Sequence, residues 1–324
     1  MGADDSTDME VDTAILPSVK LPMTRSYTYL NPVPESIIQN LPNKVNEPCV
    51  LGVDEAGRGP CLGPMVYAVS FCPLSRYEEF KSLGCDDSKK LTHERRIELA
   101  QIIQDSQDYV GWAVKVISPQ DISTNMFNRV NPVNLNQLAH DATMELISLV
   151  IDSKVNLTEI YVDPVGPSAS YQEKLSRYFP GISITVEPKA DALYPIVSAA
   201  SICAKVTRDQ IVKGWIWTET GLDDVSREFG SGYPSDPNTV AWLNENETPF
   251  FGFPSIMRFS WKTITNRMEK SSTCEWSDEE DVEKKPKRSI KRMFEGHTKK
   301  KDDGYEKGQF YKSFRLVSRD HVSL

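Results

Sequence analysis

Four carboxylates stand where predicted strands give way to loops. Asp54 and Glu55 end a buried apolar run, Asp163 ends a second predicted strand, and Asp191 lies between a third strand and a long helix. Taken one at a time, they fit simpler structural roles: a surface turn for the adjacent pair, a turn residue for Asp163 and a helix N-cap for Asp191. Three strand-to-loop junctions that each present an acid nevertheless predict one shared site, because clustered carboxylates are costly without a cation.

Oxygen ligands are those that hard divalent ions such as Mg²⁺ prefer. Two such ions, ~3.5–4 Å apart, hold both the attacking water and the leaving oxygen of a phosphodiester displacement. Side chains alternate across a strand, so Asp54 and Glu55 face one site only if the strand ends or bulges there. The glycines that follow them permit such a change of direction.

Several nearby residues are candidates for binding a sugar or a phosphate. In Gly57-Arg58-Gly59, the glycines allow close approach of the backbone and Arg58 can pair with a phosphate, although most such triplets are turns. Ser88 and Lys89 offer a hydroxyl and an ammonium group, with solvated lysines as the alternative. Two further features are a tyrosine between a glycine turn and a proline, Tyr233, and an aromatic segment at residues 250–261, interpreted as core rather than as a base-stacking platform.

Hydrophobic periodicity predicts the elements that position these residues. Strands are predicted at residues 49–53, 65–72, 112–117, 160–162 and 182–186, the first two as an antiparallel pair. Helices are predicted at 93–104 after a Thr92 N-cap, along the stripe 135–149, at 193–213, and from Pro237 after an Asp236 cap. Strands and helices that alternate after an initial hairpin predict a mixed α/β sheet.

Composition excludes several classes of protein. The chain has 324 residues, of which 39% are hydrophobic and 26% charged, so neither wholesale disorder nor a collagen-like chain fits. No apolar run approaches the ~18–20 residues of a membrane helix, so we expect no membrane association. Six cysteines without a CxxC pair and four scattered histidines argue against a zinc site or a disulfide framework. The net charge of −9 means that any nucleic-acid binding needs a local basic patch, a bound metal or a partner.

The chain divides into four predicted regions. Residues 1–44 are polar and interrupted by prolines, and we expect them to be mostly disordered. The catalytic domain is predicted at residues 45–220 and a helical C-terminal region at 221–270. The charged tail at 271–324 is predicted to be largely disordered, and its basic runs at 284–288 and 299–301 are either a solvated linker or a nuclear-import signal.

The run from Leu51 to Pro60, Leu-Gly-Val-Asp-Glu-Ala-Gly-Arg-Gly-Pro, resembles the signature of type 2 ribonucleases H. The segments at residues 87–89, 161–163, 189–192, 198–206 and 230–234 are similar to further motifs of that family, in the same order. The similarity covers about residues 48–265, and the stretches at 252–254 and 258–261 look most like the eukaryotic catalytic subunit.

The resemblance implies a ribonuclease H-like mixed sheet flanked by helices, with a small helical C-terminal region. It implies an endonuclease that cuts the RNA strand of RNA/DNA hybrids and single ribonucleotides embedded in duplex DNA, using two Mg²⁺ or Mn²⁺ ions on Asp54, Glu55, Asp163 and Asp191. By the same resemblance, the backbone of residues 57–59 reads the ribose 2′-OH with support from Tyr233, and two non-catalytic subunits complete a heterotrimer. Location in the nucleus is expected from the basic runs of the tail.

Two alternatives come from other interpretations of the same residues. A nuclease of similar fold that acts on DNA alone would retain the acids, but it would have no 2′-OH to read with the Gly-Arg-Gly turn and Tyr233. A non-catalytic scaffold would have no reason to keep four intact acids at a cost in stability. Divalent-ion titration distinguishes the scaffold from the two enzymes.

Overall fold

The computed structural model describes residues 15–38, 46–85, 91–222, 225–248 and 252–269. One six-stranded sheet forms the centre of this part of the chain, in the strand order β1-β4-β3-β2-β5-β6. Its strands are β1 (Tyr27–Leu30), β2 (Pro48–Ala56), β3 (Met65–Pro73), β4 (Gly111–Ile117), β5 (Asn156–Val162) and β6 (Ser183–Val186). The strands β1, β4, β3 and β2 pair antiparallel, whereas β5 and β6 run parallel to β2, so the predicted mixed sheet is confirmed.

The helices lie on both faces of this sheet. In chain order they are α1 (Tyr77–Lys81), α2 (His93–Asp105), α3 (Pro119–Phe127), α4 (Leu135–Asp152), α5 (Ser168–Tyr178), α6 (Ala190–Leu193), α7 (Pro195–Lys213), α8 (Pro237–Asn246) and α9 (Lys262–Met268). One apolar cluster joins the sheet to α2, α7 and α8, and a second joins its other face to α4 and α5. The central strand β3 is buried along its whole length, as expected for a strand covered on both sides.

Most predicted elements are confirmed, with local chemistry that explains their ends. The Thr92 hydroxyl accepts from the Arg95 N–H at the start of α2, and Asp236 caps α8 by accepting from the Asn238 N–H. The strand predicted at 160–162 is the last part of the longer β5, whose first half carries polar residues. Strand β1 and helices α1, α3, α5, α6 and α9 were not predicted.

The N-terminal segment differs from the expectation where it is described. Residues 15–38 pack on the body: Leu16, Met23 and Ile37 are buried, and β1 pairs with β4 at the sheet edge. The Leu16 N–H donates to Gln210 Oε1 at 2.9 Å. This segment is polar and interrupted by prolines, so its sequence has little hydrophobic periodicity. Isolated buried apolar residues and hydrogen bonds to distant parts of the chain produce no pattern from which its packing could be predicted. Residues 1–14, 39–45 and the tail from residue 270 lie outside the described residues.

The cysteines and the apolar segments of the chain were the basis of two further expectations. Cys49, Cys61, Cys72, Cys85 and Cys203 are all free and buried. Within the described ranges, no helix has both the length and the apolar character needed to cross a bilayer.

Candidate active site

The parallel pairing of β2 and β5 places two of the predicted acids side by side. Val53 pairs with Val162, so Asp54 and Asp163 leave the same edge of the sheet. The pairing extends one step beyond β5, because the Asp163 N–H donates to the Val53 carbonyl at 3.1 Å. Carboxyl ends of neighbouring parallel strands are a common place for a site in α/β proteins.

Asp191 reaches the same point from a short helix. Lys189 has a left-handed backbone with φ 62°, and its N–H donates to Asp163 Oδ1 at 3.1 Å. This turn starts α6, which carries Asp191 in its first turn, and α7 starts separately at Pro195. The simpler structural role would make Asp191 the N-cap of the long helix. The structure instead places it in the first turn of α6.

Asp54, Asp163 and Asp191 form a compact carboxylate cluster. Each offers one oxygen, and these three oxygens lie within 4.8 Å of one another. Asp54 and Asp191 are buried, at 5% and 2% exposure. Burial, and to a smaller extent the negative charge of Asp163, raise the pKa of Asp54 to about 7, against the lowering effect of a hydrogen bond from Ser201. Converging oxygen donors in a partly buried setting fit a hard divalent cation.

Glu55 stands beside this cluster and outside it. Its strand neighbour opposite is Tyr67, whereas Asp54 is opposite Ala68, so the two adjacent acids start on different faces of the sheet. Burial raises the pKa values of Tyr67 and Tyr171, which lie on the α4 and α5 side of the sheet. The negative charge of Glu55 adds a smaller increase to both. Glu55 still lines the pocket that Asp54 and Asp163 line, at the end of the strand.

Helix α7 supplies site residues that sequence reasoning did not select. Ser201, Lys205 and Arg208 follow one another at helical spacing on the face towards Asp54. The Lys205 Nζ donates to Ser201 Oγ at 3.0 Å, and the positive charge of Lys205 lowers the pKa of Asp54, against a larger effect of burial. A polar stripe along an otherwise apolar buried helix was the signal that could have revealed these residues.

Three of the acids, Asp54, Glu55 and Asp163, line a pocket of about 290 Å³. Its other walls are α7, Tyr233 and the turn at residues 57–59, which we name the reading loop after the role that the resemblance implies. Tyr233 is 49% exposed, and a Cβ atom built on Gly59 would lie 2.6 Å from its Cε1 atom. The structure therefore brings Gly57, Gly59 and Tyr233 to the same pocket as the acids.

Three other predicted residues have different outcomes. Arg58 lines the pocket, but its Nη2 donates to Asn136 Oδ1 on α4, so its guanidinium is engaged by protein. Ser88 and Lys89 lie outside the described residues.

Comparison with known proteins identifies the family. A sequence profile for Ribonuclease HII matches residues 51–264, which contain the carboxylate cluster, the reading loop and Tyr233. This chain belongs to the ribonuclease HII family. As a member of this family, the chain is a hydrolase, a ribonuclease H that cuts the RNA strand of its substrate.

Curated relatives and solved structures agree with this assignment. A ribonuclease H2 subunit of Bos taurus is 51% identical over 77% of this chain and 83% of its own length, and its counterpart in Arabidopsis thaliana is 47% identical over 78% and 84%. The crystal structure of ribonuclease H2 from Pyrococcus horikoshii has a TM-score of 0.57 at 33% identity and covers 69% of this chain and all of its own. The fold of this family member is thus the predicted ribonuclease H-like sheet.

Proposed function

We propose that this ribonuclease H also cuts at single ribonucleotides embedded in duplex DNA, on the 5′ side, and leaves 3′-OH and 5′-phosphate ends. The observation that carries the proposal is the adjacency of two features at one pocket. The carboxylate cluster comes from three separate elements, and the reading loop begins two residues after Glu55. Chemistry and recognition of one nucleotide therefore take place a few residues apart.

The cofactor we propose is a pair of Mg²⁺ or Mn²⁺ ions held by Asp54, Glu55, Asp163 and Asp191. When bound, such ions polarise a phosphate and lower the pKa of water. The compact cluster of three aspartates supports the assignment, and Glu55, which lines the same pocket, is the fourth ligand in this proposal. The backbone of Lys189 holds Asp163, and Ser201 with Lys205 flank Asp54, so the fold orients the acids in advance.

The remaining pocket residues orient the substrate in this proposal. Lys205 and Arg208 project from α7 into the pocket, where their positive charges attract a phosphodiester despite the acidic body. The backbone of the reading loop donates to the ribose 2′-OH, the one group that distinguishes RNA from DNA at a single position. The exposed ring of Tyr233 packs against the neighbouring sugar, and its hydroxyl adds a hydrogen bond. Ser88 and Lys89 remain candidates for phosphate contacts, on the resemblance alone.

The decisive experiment compares one DNA duplex that contains a single ribonucleotide with the matching all-DNA duplex. We expect cleavage of the first only, and only with a divalent ion. Asp163→Asn keeps the shape of the side chain and removes its charge, so the variant should fold and lose cleavage. Near-normal cleavage by this variant would contradict the assignment, and equal cleavage of both duplexes would favour a DNA nuclease of similar fold. The scaffold alternative predicts no cleavage and no ion binding by calorimetry.

We further propose two non-catalytic partner subunits, a heterotrimer and action in the nucleus, in replication-primer removal and DNA repair. Support for partners comes from the curated relatives, which are named as subunits, and support for the nucleus comes from the basic runs of the tail. Truncation after Lys270 should leave catalysis measurable and weaken nuclear accumulation of a fluorescent fusion. Unchanged accumulation would show that the tail is not the import signal. Native mass spectrometry of the affinity-purified chain tests for the partner subunits.

A further inference from the structure

Every carbonyl of the reading loop accepts a hydrogen bond from one short segment near the C-terminal end of the fold. Arg258 donates from Nη2 to Gly57 O at 2.6 Å and from Nη1 to Arg58 O at 3.2 Å. The indole Nε1–H of Trp261 donates to Gly59 O at 3.0 Å. Two side chains, three residues apart, thus hold three consecutive carbonyls from one side.

The environment of Arg258 is unusual for a cation. Its side chain is fully buried, and no carboxylate among the described residues forms a salt bridge with it. Its Nε donates to Gly63 O at 2.8 Å, and its guanidinium lies over the ring of Trp261 at 4.8 Å. A buried charge of this kind is tolerated only when hydrogen bonds satisfy it, so the carbonyls around it are tightly fixed.

Because the peptide bond is planar, these fixed carbonyls also determine the direction of the N–H groups on the opposite side of the loop. The carbonyl of one residue and the N–H of the next lie in one plane and point in opposite directions. Fixing the carbonyls of Gly57 and Arg58 therefore fixes the N–H groups of Arg58 and Gly59. Neither N–H donates to an acceptor within the described part of the protein, and both residues line the pocket that the carboxylates line.

We propose that Arg258 and Trp261 are positioning residues that set the selectivity of this enzyme for a ribose 2′-OH. Both side chains bind the carbonyl side of the reading loop and do not touch the substrate. They hold the loop so that its amide donors face the pocket. The proposal rests on the proposed function of the reading loop, and it names the groups that make its backbone rigid enough to distinguish one hydroxyl.

The test measures selectivity separately from chemistry. The full chain is titrated in EDTA against two fluorescent duplexes that differ in one 2′-OH, and the ratio of their Kd values is recorded. Trp261→Phe keeps the ring over Arg258 and removes one hydrogen bond, so the ratio should fall about two- to twelve-fold. Arg258→Lys keeps the charge without the planar donor fork, and should lower the ratio further.

Two controls separate positioning from general stability. Trp217→Phe removes an indole N–H that has no acceptor in the described structure, and should leave the ratio unchanged. Mn²⁺ affinity, measured by calorimetry, should be the same in Trp261→Phe and wild type, because the carboxylates are untouched.

The results overturn the proposal in defined ways. A folded Trp261→Phe variant with an unchanged ratio contradicts it, as does an equal loss of affinity for both duplexes. If Arg258→Lys fails to fold, the Trp261→Phe result alone decides. A wild-type protein without any preference for the 2′-OH would instead contradict the proposed function of the reading loop, which keeps the two failures distinguishable.

Discussion

Gly52 of β2 and Ile196 of α7 are in direct backbone contact. A Cβ atom built on Gly52 would lie 2.5 Å from the carbonyl carbon and oxygen of Ile196. The helix therefore rests on the strand with no side chain between them, two residues before Asp54. Close contact at this point is what brings Ser201 and Lys205, farther along α7, to the carboxylate cluster.

Gly52→Ala should destabilise the fold by about 2–3 kcal/mol, because the added methyl group must separate the helix from the strand. Cleavage should fall as well, since α7 moves relative to Asp54. Chemical denaturation and steady-state cleavage measure the two effects. Gly181→Ala is the matched control: its φ of 88° strains an alanine, but the methyl group meets no atom within 4 Å. Equal costs in the two variants would contradict the steric explanation.

Asp54→Asn should stabilise the metal-free protein more at high pH than at low pH. Burial raises the pKa of Asp54 to about 7 from 3.8. The folded state therefore disfavours the charged carboxylate, and wild-type stability falls as the pH rises from about 4 through 7. The variant should gain on the order of 1–4 kcal/mol at pH 8 and little at pH 4.

Urea denaturation in EDTA at both pH values measures this difference. Asp152→Asn, at an exposed position at the end of α4, is the control and should show no such dependence. A stabilisation of Asp54→Asn that is the same at both pH values would refute the electrostatic cause.

Lys205→Met should separate metal binding from catalysis. The positive charge of Lys205 compensates the acids when no ion is present, so its loss should lower the metal-free Tm. The same loss removes repulsion towards a divalent ion, and Mn²⁺ affinity should rise by about tenfold. Cleavage should fall, because Lys205 lines the pocket in which we propose that the phosphate binds. The control is Lys213→Met, exposed on the last turn of the same helix. Weaker Mn²⁺ binding by Lys205→Met would show that the lysine is mainly structural.

Gly59 and Tyr233 should behave as one unit in a double-mutant cycle. Gly59→Ala places its methyl group against the Tyr233 ring, so it should impair cleavage in wild type and much less in a Tyr233→Ala background. Tyr233→Phe alone loses one hydrogen bond, or about two- to twelve-fold in cleavage at a single ribonucleotide.

Tyr233→Ala should cost more than Tyr233→Phe, because packing against the sugar is lost too. Both variants should affect single ribonucleotides more than long hybrids, in which neighbouring 2′-OH groups offer alternative registers. Additive effects of Gly59→Ala and Tyr233→Ala would contradict the coupling, and an equal loss on both substrates would make Tyr233 a general catalytic support.

The local pattern of the chain was enough to predict where the acids lie along the strands. Apolar runs that end in Asp54 and Asp163 predict buried strands, and parallel pairing then places the two acids at one edge. The short helix around Asp191 was not predictable in this way, because a left-handed Lys189 starts it and only the hydrogen bond to Asp163 explains that conformation.

Residues that act across long sequence separations left the weakest signal. Arg258 lies about two hundred positions from the carbonyls that it holds, and its sequence neighbourhood indicates only an aromatic core segment. Asn136, which engages Arg58, stands at the start of a helix where a polar residue is ordinary. Such partners become visible only when the fold brings the two stretches together.

The anchoring of the N-terminal segment has a consequence for how the protein is made. Leu16 and its acceptor Gln210 are 194 residues apart in the chain. At about 5–20 residues per second, the ribosome makes Gln210 about 10–40 s after Leu16. The hydrogen bond between the hydroxyls of Ser18 and Thr207 likewise cannot form until Thr207, 189 residues later, has been made. Leu16 and Ser18 can therefore reach their native positions only late in synthesis, after all four acids of the site have already left the ribosome.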